Sequence, residues 1–457
     1  MKNFLAPPPH QEQLPEEQVD VAYRRLRLQV FTGIFVGYVG FYLVRRNFSL
    51  AMPYLQELGF DKAELGFAFA CNALAYAFSK FIMGAMSDQS DARRFMALGL
   101  VLSSATVMLA GTALGTSSVL WMAVFQFLVG WFGGMGYPPG GRVMTHWFSV
   151  KERGTKWSFW NTSHNVGGGL LGIIAAWGVS FALSLGLSVG LSQLLGIFWL
   201  PAAVAIMLAI IVYLLVRDTP QSCGLPNIEK HRNDYPCNYG EHAEKVLRTR
   251  DILFRYVFCN KILWIIASAN TFVYFVRFGV LDWAPTYLTE VKHYNIKEMG
   301  LAYALYEWAA IPGTILCGWL SDTLFARKRA LTTIVYMALV MVAVFVYWTN
   351  ADSKLIDGIA LVAIGFLIYG PVLLIEVHAA DLSSKNAAGA ALGLAGFFGY
   401  FFGTSILANI VMGRVVQFYG WNAGFQLLIA ACLLTIALMA TAHWQERRAY
   451  HTKRNEE

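Results

Sequence analysis

Charged side chains stand inside stretches of this sequence that are otherwise soluble in lipid. Arg45 and Arg46 adjoin in FYLVRRNFSL, Lys80 lies in AYAFSKFIMG, and Arg277 lies in VYFVRFGVL. A charge at mid-membrane costs about 2.5–3.5 kcal/mol on insertion scales, so an ionisable residue at that depth is typical of a functional site that faces a water-filled cavity. The sequence therefore predicts a polar site inside a membrane.

Polar residues recur in these stretches at the spacing that places them on one face of a helix. Tyr38, Tyr42 and Arg45, for example, follow one another at intervals of four and three residues. Because residues three or four apart share a helix face, each stretch presents a polar stripe. The other stripes are Tyr76 with Lys80, Asn161 with His164 and Asn165, and Tyr274 with Arg277.

The side chains in these stripes suit a phosphate. Arginine presents a planar fork of donors that matches phosphate oxygens bidentately, and it stays charged at any relevant pH. Lysine adds a point charge. Histidine titrates near pH ~6.5 and can follow the charge of a phosphate monoester, whose second pKa is about 6. The predicted ligand is a small dianionic phosphate compound, with tyrosine hydroxyls bonding the phosphate or a polar tail.

Apolar stretches supply the helices that must position these side chains. The 457 residues are 57% hydrophobic and 14% charged, whereas a soluble domain carries about 25% charged residues. A run of about 20 apolar residues crosses a bilayer as a helix. The sequence predicts an all-α multi-pass membrane protein with twelve spans, at about 28–50, 64–84, 95–114, 118–137, 157–181, 192–216, 261–283, 299–319, 329–349, 354–377, 388–412 and 419–443.

The placement of basic residues predicts how these spans are oriented. With both termini on one side, 26 of the 35 lysines and arginines fall on that side, five on the other and four inside the membrane. The positive-inside rule then places both termini and the central loop in the cytoplasm. The opening residues lack the pattern of a signal peptide, and short basic clusters mixed with acids do not favour nucleic-acid binding. The predicted divisions are a tail 1–27, a six-helix bundle 28–216, a loop 217–260, a second bundle 261–443 and a tail 444–457.

The two predicted bundles repeat one design. FYLVRRN at 41–47 aligns with VYFVRFG at 273–279, and FIMGAMSDQSDARR at 81–94 aligns with ILCGWLSDTLFARKR at 315–329. Because each bundle has an even number of spans, the repeats are parallel and related by an axis along the membrane normal. This symmetry predicts Arg45 and Arg277 across one central cavity. It also pairs Asp88 with Asp322, as caps or latches at the cytoplasmic edge.

Twelve spans in two parallel halves, each with a G-x-x-x-D loop in register, resemble the major facilitator superfamily. Longer stretches are similar to its organophosphate:phosphate antiporters: GYVGFYLVRRNFSLAMPYL, YAFSKFIMGAMSD, FWNTSHNVGGG, RDTPQSCGLP, VYFVRFGVLDWAPTYL, YEWAAIPGTILCGWLSD and GFLIYGP. Two positions depart from the family pattern. Tyr137 stands where a tryptophan is expected, and Glu376 stands where a small or apolar residue is expected.

The resemblance implies a monomeric carrier of the bacterial inner membrane that needs no cofactor or metal. It implies exchange of external glycerol-3-phosphate for internal inorganic phosphate by alternating access. Arg45 and Arg277 would clamp the phosphate, and His164 would join them when substrate binds. The cavity would also be lined by Lys80, Tyr38, Tyr42, Tyr76, Asn161, Tyr274, Tyr369 and Tyr400, while Arg46, Asp282 and Glu307 would form charge pairs that rearrange during the cycle.

Other interpretations of the same residues remain open. Arg45 and Arg277 could be structural staples paired with Asp282 or Glu307, and His164 could be an ordinary buried histidine. An antiporter for hexose phosphate or phosphoglycerate, or a sugar-phosphate sensor that barely transports, would use a similar site. An intramembrane enzyme is disfavoured, because the sequence shows no nucleophile–base pair or metal-ligand cluster and its six cysteines are scattered without a C-x-x-C motif.

Overall fold

Helices make up the regular structure in the described part of this chain. The computed structural model describes residues 4–234, 260–325, 328–350, 353–382 and 388–456, and these ranges contain no strand. The first group of helices is α1 Glu16–Leu43, α2 Asn47–Glu57, α3 Lys62–Asp88, α4 Ala92–Ala110, α5 Val119–Gly133, α6 Tyr137–Trp147, α7 Val150–Asn161, α8 Ser163–Ser184, α9 Val189–Leu194, the π-helical turn Leu195–Trp199, α10 Leu200–Leu215, the 3₁₀ turn Gln221–Cys223 and α11 Ile228–Arg232. The second group is α12 Lys261–Leu281, α13 Ala284–Glu290, α14 Ile296–Thr323, α15 Arg329–Thr349, α16 Lys354–Asp381, α17 Ala388–Phe397, the π-helical segment Phe398–Val411 and α18 Met412–Glu456.

These helices confirm the predicted all-α membrane architecture. Within the described ranges, nine helical segments are long and apolar enough to cross a membrane. Two further long helices, α3 and α14, coincide with predicted spans. The last of the nine segments, Ala391–Arg448, holds a kink at Gly420, where φ is 77° and ψ is 175°, and it therefore covers two predicted spans. Of the predicted central loop, residues 235–259 lie outside the described ranges.

The chain divides into two compact units. Unit 1 comprises Met1–Phe48 and Phe78–Lys245, and unit 2 comprises Ser49–Ala77 and Val246–Glu457. Within unit 1, α1 packs on α8 and α10, and α4 packs on α5 and α10. Within unit 2, α16 packs on α14 and α15, and α12 packs on α18 and on the π-helical segment. Each unit thus buries its apolar helix faces against its own helices.

Hydrogen bonds fix the segment Ser49–Ala77 within unit 2. The Ser49 hydroxyl donates to the carbonyl of Asp282 at 2.6 Å, and the Ser405 hydroxyl donates to the carbonyl of Ala70 at 3.0 Å. Lys62 Nζ lies 2.9 Å from Glu290 Oε1. The segment therefore contacts the residue that follows α12, the helix α13 and the π-helical segment directly.

Backbone hydrogen bonds also hold the N-terminal tail in place within unit 1. The amide of Leu14 donates to the carbonyl of Gly224 at 2.8 Å, and the amide of Asp91 donates to the carbonyl of Leu5 at 2.8 Å. Helix α1 then begins at Glu16, well before the predicted start of the first span at residue 28. The chain is thus helical before it reaches the apolar stretch.

A glycine in each unit lets a second helix approach the one that carries the Tyr-x-x-Arg motif. A Cβ built on Gly167 would lie 2.8 Å from Tyr42 Cβ, and one on Gly403 would lie 2.8 Å from Tyr274 Cβ. Only glycine avoids these clashes. Because Tyr42 and Tyr274 are repeat partners in the sequence, the same close approach occurs at the same place in both units.

This contact yields a stability prediction. Gly403→Ala should lower the thermal midpoint of the purified chain in detergent, because overpacking a closed contact costs about 1–3 kcal/mol. Gly396→Ala is the matched control, since a Cβ there meets nothing within 4 Å and alanine favours a helix over glycine. Equal midpoints for the two variants would show that the approach of the helices does not need Gly403.

Candidate functional site

Arg45 and Arg46 lie in a break between two helices. Helix α1 ends at Leu43 and α2 begins at Asn47, and both arginines are 5% exposed. The Arg45 Nη1 donates to the Tyr42 hydroxyl at 3.3 Å, and its Cζ lies 5.4 Å from the centre of the Tyr42 ring. Successive side chains of a continuous helix point about 100° apart, and a break in the helix changes that angle. The apolar pattern of 28–50 gives no sign of this break.

An aromatic wall adjoins Arg45 in unit 1. The Tyr38 ring centre lies 5.3 Å from that of Tyr42, 5.8 Å from that of Tyr137 and 5.1 Å from that of Trp160. Lys80 Nζ lies 4.8 Å from the centre of the Tyr137 ring. Cations over aromatic faces are attracted by the ring quadrupole, so the wall stabilises both Lys80 and Arg45.

Tyr137 belongs to this site, although the sequence singles it out only as a departure from the family pattern. Its hydroxyl accepts a hydrogen bond from Trp157 Nε1 at 3.2 Å, and its ring supports Lys80. Tyr137 is the first residue of α6, directly after a glycine-rich turn. The match of GGMGYPPGG to the second-half stretch GFLIYGP, which contains Tyr369, could have revealed it.

His164 belongs to the polar stripe that begins at Asn161, and its ring lies beside Tyr42 of the stripe that contains Arg45. It lies one residue into α8, just after the junction with α7 at Thr162. Its Nδ1 hydrogen-bonds to the carbonyl of Asn161, and its ring centre lies 5.3 Å from that of Tyr42. A carbonyl only accepts, so Nδ1 carries the hydrogen and Nε2 is the nitrogen that gains a proton when the imidazole becomes charged.

Arg277 lies in an aromatic cage in unit 2. Its side chain is 5% exposed, and its Cζ lies 4.1 Å from the ring centre of Tyr369, 4.6 Å from that of Phe278 and 5.8 Å from that of Tyr274. Among the described residues, no group accepts a hydrogen bond from its buried Nε. An unsatisfied buried donor costs about 1–3 kcal/mol, so a ligand that accepts a hydrogen bond from this atom would remove that cost.

Tyrosines join Arg277 to the buried acids of unit 2. The Tyr369 hydroxyl donates to Glu307 Oε2 at 2.8 Å, and Glu307 is 2% exposed. The Tyr306 hydroxyl donates to the carbonyl of Arg277 at 3.2 Å. Asp282, with no exposed surface, lies just after the end of α12. The acids that the sequence offers as partners for the arginines are thus buried, and Glu307 reaches the Arg277 cage through Tyr369.

Three tyrosines from different helices of unit 2 pack beside this cage. The Tyr400 ring centre lies 5.1 Å from that of Tyr274 and 5.0 Å from that of Tyr76. The Tyr274 hydroxyl lies 3.5 Å from Glu376 Oε1. The structure therefore gathers Tyr76, Tyr274, Tyr369, Tyr400 and Arg277 within unit 2, and it gathers Tyr38, Tyr42, Arg45, Lys80, Asn161 and His164 within unit 1.

An ion pair lies at the end of α14, where the sequence places Asp322. Asp322 Oδ1 lies 2.6 Å from Arg329 Nη1. Asp88 is the last residue of α3, and its side chain is outside the part of the molecule that the structure describes. Near it, Arg142 Nη2 lies 3.0 Å from Asp218 Oδ2. Burial raises the pKa of the Asp218 carboxyl, against the opposing effects of the Ala92 amide and Arg142.

The group of side chains in each unit is rich in cations and phenols, which suits anion binding. In the described part of the chain, no group of three or more histidine, cysteine or acidic side chains is placed to hold a metal. Four cysteines, Cys71, Cys223, Cys317 and Cys432, are free thiols, while Cys237 and Cys259 lie outside the described ranges. Arginine, lysine, histidine and tyrosine side chains of this kind can bind an anion.

Comparisons with known proteins agree with this fold. The family model described as Major Facilitator Superfamily matches residues 34–406. The glycerol-3-phosphate transporter of Bacillus subtilis (strain 168) is 52% identical over 453 residues, which covers 99% of this chain and 100% of that protein. The glycerol-3-phosphate transporter of Haemophilus influenzae is 47% identical and covers 94% of each chain. A bacterial homologue of the human lysosomal transporter Spinster, solved in an inward-facing and unoccupied conformation, superimposes with a TM-score of 0.71 over 91% of this chain and 95% of its own, at 16% identity.

The cage around Arg277 yields a second prediction. Tyr369→Phe should reduce anion binding and lower the thermal midpoint, because buried Glu307 loses a donor worth about 1–3 kcal/mol. Tyr347→Phe is the matched control, since the Tyr347 hydroxyl is also buried but has no hydrogen-bond partner among the described residues. If both variants behave alike, the bond between Tyr369 and Glu307 does not stabilise the site.

Proposed function

We propose that this chain, which belongs to the Major Facilitator Superfamily, exchanges external glycerol-3-phosphate for internal inorganic phosphate across the bacterial inner membrane. Membership of this family makes it a transport protein and not an enzyme. The observation that carries the proposal is the aromatic cage of Arg277, whose buried Nε has no acceptor among the described residues. The full-length similarity to the Bacillus glycerol-3-phosphate transporter supports the choice of cargo.

In this proposal, one phosphate group binds Arg45 and Arg277 together. The two residues are repeat partners, and each stacks against the tyrosine three residues before it, Tyr42 or Tyr274. Each guanidinium offers a bidentate fork, which is the geometry that phosphate oxygens accept best. Lys80 adds a further charge, and His164 becomes a cation when it gains a proton on Nε2.

Electrostatic repulsion then explains why the carrier exchanges rather than leaks. Two unit charges about 4 Å apart interact by about 4 kcal/mol at an effective dielectric constant of about 20. Without cargo, Arg45 and Arg277 repel each other and oppose closure. A bound phosphate replaces that repulsion with two attractions, so only the loaded carrier closes and reopens on the other side. The outward gradient of phosphate would drive uptake of the ester.

Buried acids and helix breaks would accommodate the movement. Arg46, Asp282 and Glu307 form charge pairs that exchange partners during the cycle in this proposal. The turns between α1 and α2, and between α12 and α13, lie beside Arg46 and Asp282. Such turns absorb changes in backbone angle more readily than a continuous helix does. The carrier acts as a monomer with both termini in the cytoplasm.

Exchange in proteoliposomes tests this function directly. Vesicles loaded with inorganic phosphate should take up labelled glycerol-3-phosphate, and vesicles without internal phosphate should not. A panel of glycerol-3-phosphate, hexose phosphates and phosphoglycerate as competitors identifies the preferred cargo. Saturable binding without exchange would instead indicate a sensor.

Within this assay, Arg277→Lys should bind phosphate roughly tenfold more weakly or worse. Lysine keeps the charge but loses the fork, and a hydrogen bond to a charged group contributes about 1.5–3 kcal/mol. Arg414→Lys is the control, because Arg414 is exposed and distant in sequence from the cage. Normal phosphate affinity and exchange rate in Arg277→Lys would contradict bidentate binding.

A further inference from the structure

A second carboxylate adjoins the tyrosines of unit 2. Glu376 Oε1 lies 3.5 Å from the Tyr274 hydroxyl, and the Glu376 side chain is partly exposed. Helix α16 carries Glu376 seven residues after Tyr369, so both project from one face of that helix. Glu376 is therefore built into the same group of side chains as the Arg277 cage.

Tyr274 lies between a cation and an anion. Its ring centre is 5.8 Å from Arg277 Cζ, and its hydroxyl is directed at Glu376. Tyr400 packs on the Tyr274 ring at 5.1 Å and helps to fix its orientation. One aromatic side chain thus separates a guanidinium, which attracts phosphate, from a carboxylate, which repels it.

The opposite charges of Arg277 and Glu376, on either side of Tyr274, can distinguish the two ends of a phosphate ester. A phosphate anion near Glu376 would meet a like charge, whereas at Arg277 it meets an opposite charge. Hydroxyl groups donate readily to a carboxylate, which accepts about four hydrogen bonds. A site built to bond a substrate hydroxyl rejects analogues that lack one, because its polar group is then left unpaired.

We infer that Glu376 determines specificity by accepting hydrogen bonds from the hydroxyl groups of the ester whose phosphate is held at Arg277. The inference rests on the proposed function and extends it to the organic part of the cargo. Inorganic phosphate, which has no such tail, gains nothing from Glu376. The residue therefore acts on the ester and not on the counter-substrate.

The test uses the purified full chain and three probes: inorganic phosphate, glycerol-3-phosphate and propyl phosphate, which lacks the hydroxyls. Glu376→Ala should weaken binding of glycerol-3-phosphate roughly tenfold. Its affinities for phosphate and propyl phosphate should stay within about twofold of the unaltered chain, because neither probe donates a hydroxyl from a carbon tail. Glu376→Gln, which keeps an acceptor oxygen and the size of the side chain, should recover part of the loss.

The control is Glu298→Gln, which removes a carboxylate that pairs with Lys354 at the start of α14. It should leave all three affinities unchanged. Equal loss for all three probes in Glu376→Ala would overturn the inference and assign a structural role. An unchanged ratio of glycerol-3-phosphate to propyl phosphate affinity would also overturn it. Failure of the unaltered chain to bind phosphate at all would instead reject the proposed function, so the two failures are distinguishable.

Discussion

The burial of arginine among aromatic rings is the constraint on which the rest of this structure depends. Arg45 and Arg277 are each only 5% exposed, and arginine cannot escape burial by losing its proton. A desolvated cation over an aromatic face gains about 2 kcal/mol or more, which offsets part of the burial penalty. The remaining penalty leaves each guanidinium receptive to an anion. Tyrosine serves here because its ring supports the cation while its hydroxyl bonds an acid or a ligand.

The two repeats meet this constraint with the same contact and different backbones. Gly167 and Gly403 admit the same close approach to Tyr42 and Tyr274, so the scaffold is repeated. Arg277 stands inside the continuous helix α12, whereas Arg45 stands in the break between α1 and α2. The partners of the two matching tyrosines also differ. In unit 2, Tyr369 donates to the acid Glu307, whereas its repeat partner Tyr137 in unit 1 lies under the cation of Lys80. The two units therefore place the tyrosine and the arginine at matching positions, but each unit surrounds its arginine with different residues.

Periodicity explains what could be predicted from the sequence. Length and hydropathy locate the spans, and intervals of three and four residues bring Tyr42 to Arg45 and Tyr274 to Arg277. The helix breaks beside Arg45 and His164 could not be predicted, because a one- or three-residue turn inside an apolar run leaves no trace in composition. The contact between Tyr274 and Glu376 joins residues 102 positions apart, and no spacing rule reaches that far. The sequence also predicts a latch at Asp88 and a central loop at 217–260, but the Asp88 side chain and residues 235–259 of that loop lie outside the described structure.

A double-mutant cycle on Arg45 and Arg277 tests the central claim most directly. Phosphate affinity would be measured for Arg45→Lys, Arg277→Lys and the double variant in the same detergent. If both guanidinium groups hold one phosphate, the two losses should be coupled by about 0.5–3 kcal/mol, as expected for residues that share a ligand. Losses that simply add would mean that the two arginines do not act on the same anion, and the proposed exchange mechanism would be wrong.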